Sequence, residues 1–183
     1  ATALDGHGKF HAEIMRQRPF LQVLIALQRD GFHQESVGGN VYLKSDGTPG
    51  LDYPVSKYVW EGIRDAFIAM SEIQFAAGAK TVAPVHRDAG LYHNIKEVKK
   101  AIAVLPMETL KARLFSAHVM GGCPMGEDSA KSVVNSKGHH HEVENLSVFD
   151  GSVFPTSIAA NPMESIFAAT AKFATELAKN MVN

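Results

Sequence analysis

The sequence predicts an α+β fold: an antiparallel sheet backed by helices, then a strand–loop–helix segment at the C-terminal end. Three observations lead there. The apolar run Phe-Leu-Gln-Val-Leu-Ile-Ala-Leu between Pro19 and Gln28 fits a buried strand. Turn chemistry at Val37-Gly38-Gly39-Asn40 and at Ser45-Asp46-Gly47-Thr48-Pro49-Gly50 brackets a further strand, Val41-Tyr42-Leu43-Lys44. Beyond them Val55, Val59, Ile63, Phe67 and Met70 recur at helical spacing. Strands come first and helices after them, so the pattern is not one of alternating strand–helix units.

Along the chain, Pro54 marks the start of the first long helix and Gly78 closes it. Thr81-Val82-Ala83-Pro84-Val85 is a short extended piece. Asn94 is placed to cap a helix running through Val104, and Pro106 to open another toward Leu114. From Phe115 to Ala160 the chain is rich in Gly, Pro and Ser with short strands. A last amphipathic helix follows Asn161-Pro162, with Ile166, Phe167, Phe173, Ala174 and Leu177 expected on one buried face. A soft boundary near Arg113 separates residues 1–113 from residues 114–183. There is no internal repeat.

Composition narrows the class. Apolar residues make up 45% of the 183 and charged residues 20%, an ordinary balance for a globular protein with a sizeable core. The net charge of −1 leaves no footprint for nucleic acid. One cysteine, Cys123, excludes an internal disulfide framework and a cysteine-based zinc cluster. No apolar run is long enough to span a bilayer. Ala1 opens the chain without an initiator Met or a targeting segment, so a piece of a longer polypeptide is expected.

Two segments carry chemistry. In Ala117-His118-Val119-Met120-Gly121-Gly122-Cys123-Pro124-Met125-Gly126 a histidine is followed by a glycine pair. Imidazole is the side chain suited to accept or donate a proton near neutral pH. Gly121 and Gly122 have no Cβ, so the main chain there can pack against a flat ring system. The plain alternative is a histidine satisfied by a backbone carbonyl. Cys123, Met120 and Met125 read as packing residues.

The second segment is Asn145-Leu146-Ser147-Val148-Phe149-Asp150-Gly151-Ser152-Val153-Phe154-Pro155-Thr156-Ser157, running on to Asn161-Pro162. Asp150-Gly151-Ser152 at a strand end offers N–H groups and a hydroxyl to a polar ligand, and is also a common turn. With Pro162 as the first helical residue, Asn161 is the N-cap and Glu164 completes a capping box. The helix start carries partial positive charge and free N–H groups that suit an electron-rich ligand. Cap and ligand contact can use different atoms of Asn161.

Together these segments resemble the C-terminal signature of the glucose–methanol–choline family of flavin-dependent alcohol oxidoreductases. The separation of His118 and Asn161 is similar to the family's catalytic pair. The asparagine and the Gly-Gly-Cys sequence look more like the sterol-oxidase branch than the glucose-oxidase branch. The resemblance implies that residues 1–113 belong to a substrate-binding part, with Asp52-Tyr53-Pro54 as its best local marker. It also implies that residues 114–183 complete an FAD-binding domain. It assigns His118 as the base and Asn161 as the group holding the substrate hydroxyl, with Gly121, Asp150, Gly151, Ser152, Asn161 and Pro162 at the cofactor.

Family members also resemble Rossmann-type flavoproteins with a Gly-x-Gly-x-x-Gly turn, which this sequence lacks; Gly6-His7-Gly8 comes nearest. The partner implied is therefore a missing N-terminal FAD-binding portion or a separate chain. Met120, Val153 and Phe154 are expected on the surface facing it. Two other readings fit the resemblance, a hydroxynitrile-lyase-like enzyme with a structural flavin and a non-catalytic subunit. His139 and His141 share one face of an extended segment but lack a spaced third ligand, which favours a solvent-facing hairpin over a metal site.

Overall fold

The computed structural model describes residues 8–182. Its elements run α1 (Gly8–Arg16), β1 (Asn40–Leu43), β2 (Pro49–Asp52), α2 (Lys57–Ala76), α3 (Ile95–Val104) and α4 (Met163–Val182), with short 3-10 turns at Arg18–Phe20 and Gly151–Val153. Gly6-His7 lies outside the described residues. The chain divides into two compact units, Ala1–Gln28 with Val55–Phe115 and Arg29–Pro54 with Ser116–Asn183. No helix among the described residues is long and apolar enough to cross a membrane.

In the first unit, α2 and α3 pack face to face. Ser56 Oγ accepts the amide of Val59 at 3.3 Å, so α2 begins at Lys57 and not at Pro54. Its buried face is Val59, Ile63 and Phe67, matching the expected spacing, and it meets Val98, Ile102 and Leu105. The Arg64 guanidinium donates to the carbonyls of Ile102 and Leu105, closing the C-terminal end of α3.

At the other end of α3, Asn94 Oδ1 accepts the Glu97 amide at 3.0 Å, and Glu97 Oε2 accepts the His93 amide at 2.9 Å. The expected helix after Pro106 does not form. Leu110 takes a left-handed conformation, φ 69°, which a helix does not allow. Ala112 bridges His86 instead.

The His93 amide, followed by the Asn94 side chain, holds the Glu97 carboxyl below its ordinary value of 4.5. A depressed folded value means stability that is present above 4.5 and lost as pH falls through the lower folded value. Glu97→Gln is therefore expected to lower the thermal stability of the first unit at neutral pH. Unfolding curves of variant and parent should converge on acidification.

The run from Phe20 to Leu27 corrects the sequence reading. It forms no strand, and Phe20, Val23, Ile25 and Leu27 are exposed. Its backbone finds no neighbouring strand among the described residues. The sheet is accordingly the β1–β2 hairpin, paired antiparallel from Asn40 with Asp52 to Leu43 with Pro49.

The second unit is held by a loop ladder. Isolated bridges join Met125 to Val134, Val134 to His140 and His139 to Ser147. They enclose a small core of Val134, Val153 and Phe173, with the Phe149 and Phe173 ring centroids 5.5 Å apart. Along α4 only part of the expected apolar face is covered. Phe173 is buried and Ile166 and Leu177 are half-buried, but Phe167 and Ala174 are exposed. The buried stripe is 166–170–173–177, and residues 167 and 174 fall one helical step beside it.

Candidate active site

The two motif segments lie against each other in the second unit. Cys123 N donates to Ser152 O at 3.0 Å and Met125 N to Val153 O at 2.8 Å. Gly121, at φ +84°, lets the chain turn here, and a Cβ on it would stand 3.4 Å from Pro155 O. Gly151 is squeezed from two sides: a Cβ would meet Val119 O at 3.3 Å and Ile166 Cδ1 at 3.0 Å. The turn at Asp150–Val153 thus touches both the residue following His118 and the first turns of α4. Gly122 keeps a bare main chain at the surface, with Ser152 Cβ 3.8 Å from where its Cβ would be. Gly121 thus serves the turn and Gly151 the packing of segment on segment.

His118 sits in a bend and is exposed, and its ring has no hydrogen-bond partner among the described residues. The alternative of a histidine satisfied by a backbone carbonyl does not describe it. Asp150 Oδ1 accepts both the amide and the hydroxyl of Ser152, at 2.8 and 2.5 Å. The turn therefore consumes the donors expected for a ligand. The Gly151 amide is left without a partner among the described residues.

Asn161 Oδ1 accepts the Met163 amide at 3.1 Å, and Ile166 N donates to Pro162 O. Helix α4 therefore starts one residue later than expected, with Pro162 buried just ahead of it. The Asn161 Nδ2 group and the amides of Glu164 and Ser165 have no acceptor among the described residues. Ala159, at φ 64°, holds the loop in a conformation that costs a non-glycine residue about 1–2 kcal/mol.

The histidine run is tied internally and half-buried, so it is not the solvent-facing hairpin expected. His139 Nδ1 pairs with Ser147 Oγ at 2.9 Å, and His140 Nδ1 accepts the amides of Glu142 and Val143. His141 Nε2 contacts Ser132 Oγ at 2.9 Å and Gly126 O at 3.2 Å. Since Gly126 O can only accept, this nitrogen carries the proton, and the ring is a brace for the loop. A cleft of about 280 Å³ lined by Lys137, His139, Glu176, Lys179 and Asn180 contains neither His118 nor Asn161.

One pair went unread in the sequence. The Tyr53 hydroxyl donates to Asp30 Oδ2, and partial burial, with Asp30 second, pushes the phenol up to about 12. The only signal for it was the Asp52-Tyr53-Pro54 string, read as a marker of the family.

A family model described as GMC oxidoreductase matches residues 35–170. The chain is 31% identical over 129 residues to the long-chain-alcohol oxidase FAO4A of Arabidopsis thaliana, covering 66% of this chain and 18% of that protein. It is 27% identical over 155 residues to long-chain-alcohol oxidase FAO3 of the same plant, covering 78% of this chain and 20% of the relative. It is 32% identical over 133 residues to the dehydrogenase pkfF of Emericella nidulans, covering 72% of this chain and 20% of that enzyme. The chain thus spans about a fifth of the length of these curated relatives. With the family model matched over most of its length, the chain belongs to the GMC oxidoreductases and corresponds to their C-terminal domain.

Proposed function

We propose that this chain is the C-terminal portion of a longer FAD-dependent alcohol oxidoreductase and supplies the proton-handling side of its active site. Residues 1–113 are assigned to the substrate-binding part and residues 114–183 to the flavin-contacting segment. The long-chain-alcohol oxidases among the relatives make a long-chain alcohol the first substrate to test. The observation that supports the reading is the joining of the two motif segments at Gly151, with His118 exposed on one arm and Asn161 at the head of α4 on the other.

His118 has the chemistry to take the hydroxyl proton, because its ring is exposed and has no intramolecular partner among the described residues to compete for it. Asn161 caps α4 with its oxygen and keeps its Nδ2 donor for the substrate oxygen. In this reading His118 is the base and Asn161 the donor for the substrate oxygen.

The donor set fits one end of a flavin. The Gly151 amide, the Asn161 Nδ2 group and the free amides of Glu164 and Ser165 at the positive end of α4 suit an acceptor-rich pyrimidine edge. Gly121, Asp150, Gly151, Ser152, Asn161 and Pro162 are the residues assigned to hold it. Bound FAD supplies the two-electron acceptor that alcohol oxidation requires. The sequence holds no glycine turn for the pyrophosphate. Apolar side chains near the motifs are also open, as a face awaiting cover would be. These are Val119 and Phe167, whereas Val153, expected there, is core and Met120 and Phe154 are half-buried.

The chain alone is accordingly expected to be colourless and to bind FAD weakly or not at all. Titrating FAD into it and following flavin fluorescence checks this. Saturable quenching at low micromolar FAD, with no further polypeptide added, would move the main cofactor site into this chain.

A further inference from the structure

The segment Leu21–Gln28 is anchored at both ends on α2. Gln22 O accepts the Gln74 side-chain amide at 3.3 Å, and the Gln28 side chain lies over Gly62. Leu21 is extended, with φ −84° and ψ 128°, and no turn or bend interrupts the backbone from Leu21 to Asp30. The segment is therefore extended without belonging to a sheet, and it runs opposite in direction to α2. From Gln22 to Gln28 no amide or carbonyl has a backbone partner among the described residues.

The alternation of its side chains is inverted. Positions 21, 23, 25 and 27 are Leu, Val, Ile and Leu, and they stand 47%, 70%, 65% and 89% exposed. On the other parity, Leu24 is half-buried and the Gln28 side chain lies over Gly62, while the anchor at Gln22 is its carbonyl. A strand whose bulkiest side chains face away from its own helix, with no ladder partner along it, is built for a layer on its other side. Its composition, branched and apolar without charge or proline from Leu21 to Leu27, is also what an unprotected edge avoids.

We infer that Leu21–Leu27 is a docking strand for the remainder of the polypeptide, which adds a strand along its open backbone and covers Leu21, Val23, Ile25 and Leu27. The inference rests on the reading of this chain as a portion of a longer protein. The occupant is chosen because the relatives carry about four-fifths of their length outside the matched region. Main-chain pairing gives such a joint its register, and the outward apolar row gives it area.

Hydrogen exchange with mass spectrometry tests it, on the chain alone and mixed with the separately produced remainder. Alone, the amides of Gln22 to Leu27 exchange at nearly unprotected rates at every concentration. In the complex they slow by on the order of a hundredfold or more. Ile25→Pro, which removes a donor and fits the extended backbone, weakens association by on the order of tenfold or more. Ile25→Thr, which keeps the donor, weakens it less, and both leave exchange in α2 and α3 unchanged.

A complex that forms while these amides stay fast overturns the docking strand and leaves the longer-protein reading standing. Failure to form any complex removes both. Protection in the chain alone also overturns the inference. If concentration-dependent it assigns the strand to a second copy, and if concentration-independent to a segment of the same chain.

Discussion

Replacing His118 by alanine in the full-length, flavin-loaded protein is expected to lower turnover with an alcohol by on the order of 10² to 10⁴-fold, the usual contribution of a general base. Flavin content should stay near that of the parent. The reasoning is structural. The ring is exposed and has no hydrogen-bond partner among the described residues, so removing it opens no cavity and strands no buried polar group. What it takes away is the group assigned to the proton. Turnover numbers measured beside the ratio of flavin to protein absorbance separate the roles. Near-normal turnover would refute the assignment, and flavin loss in a folded variant would reassign His118 to cofactor retention.

Ile102→Ala is expected to destabilise the first unit by about 2–5 kcal/mol. Ile102 is 0% exposed at the centre of the α2–α3 contact, so truncation removes buried apolar surface and leaves a cavity between two helices that can only partly close. Its carbonyl still accepts from Arg64, so the effect reads packing and not the capping bond. Ile102→Val should cost about 0.5–1.5 kcal/mol. Val104→Ala, at a position 80% exposed on the same helix, should stay within about 0.5 kcal/mol. Denaturant unfolding of the three variants checks the ranking, and equal effects at Ile102 and Val104 would contradict the core.

Where local chemistry decides, the sequence was a good guide. Asn94 caps α3 and Val104 ends it as its signals require. The buried face of α2 is the one that apolar spacing marks, and the hairpin turn lies within the expected Ser45–Gly50 string but ends at Thr48, since Pro49 and Gly50 already pair in β2. What sequence reading missed depends on partners distant in the chain. The run from Leu21 to Leu27 has the composition of a buried strand, yet a strand needs a neighbour and none is present among the described residues. The helix after Pro106 fails at a single backbone angle, that of Leu110, which no propensity reports. Helix α1 carried too short a pattern to be recognised.

The candidate site was legible in the same uneven way. His118 and Asn161 stood out because glycines and a proline flank them. The contact that unites their segments was invisible, because Gly151 reads as an ordinary turn residue until Val119 and Ile166 close on it. The sequence also offered Ser152 as a donor, and the structure turns that donor inward onto Asp150. Short polar side chains in turns satisfy their own backbone first, and sequence alone does not reveal which proton remains.

The most direct test of the central claim is anaerobic mixing of the full-length, flavin-loaded protein with a long-chain alcohol such as dodecanol, followed by the visible absorption of the flavin. If this chain supplies the proton-handling side of an alcohol oxidoreductase, the flavin bands bleach in the parent and bleach far more slowly in His118→Ala with the same flavin content. A flavin spectrum that the alcohol leaves unchanged in the parent, across a panel of chain lengths, would contradict it.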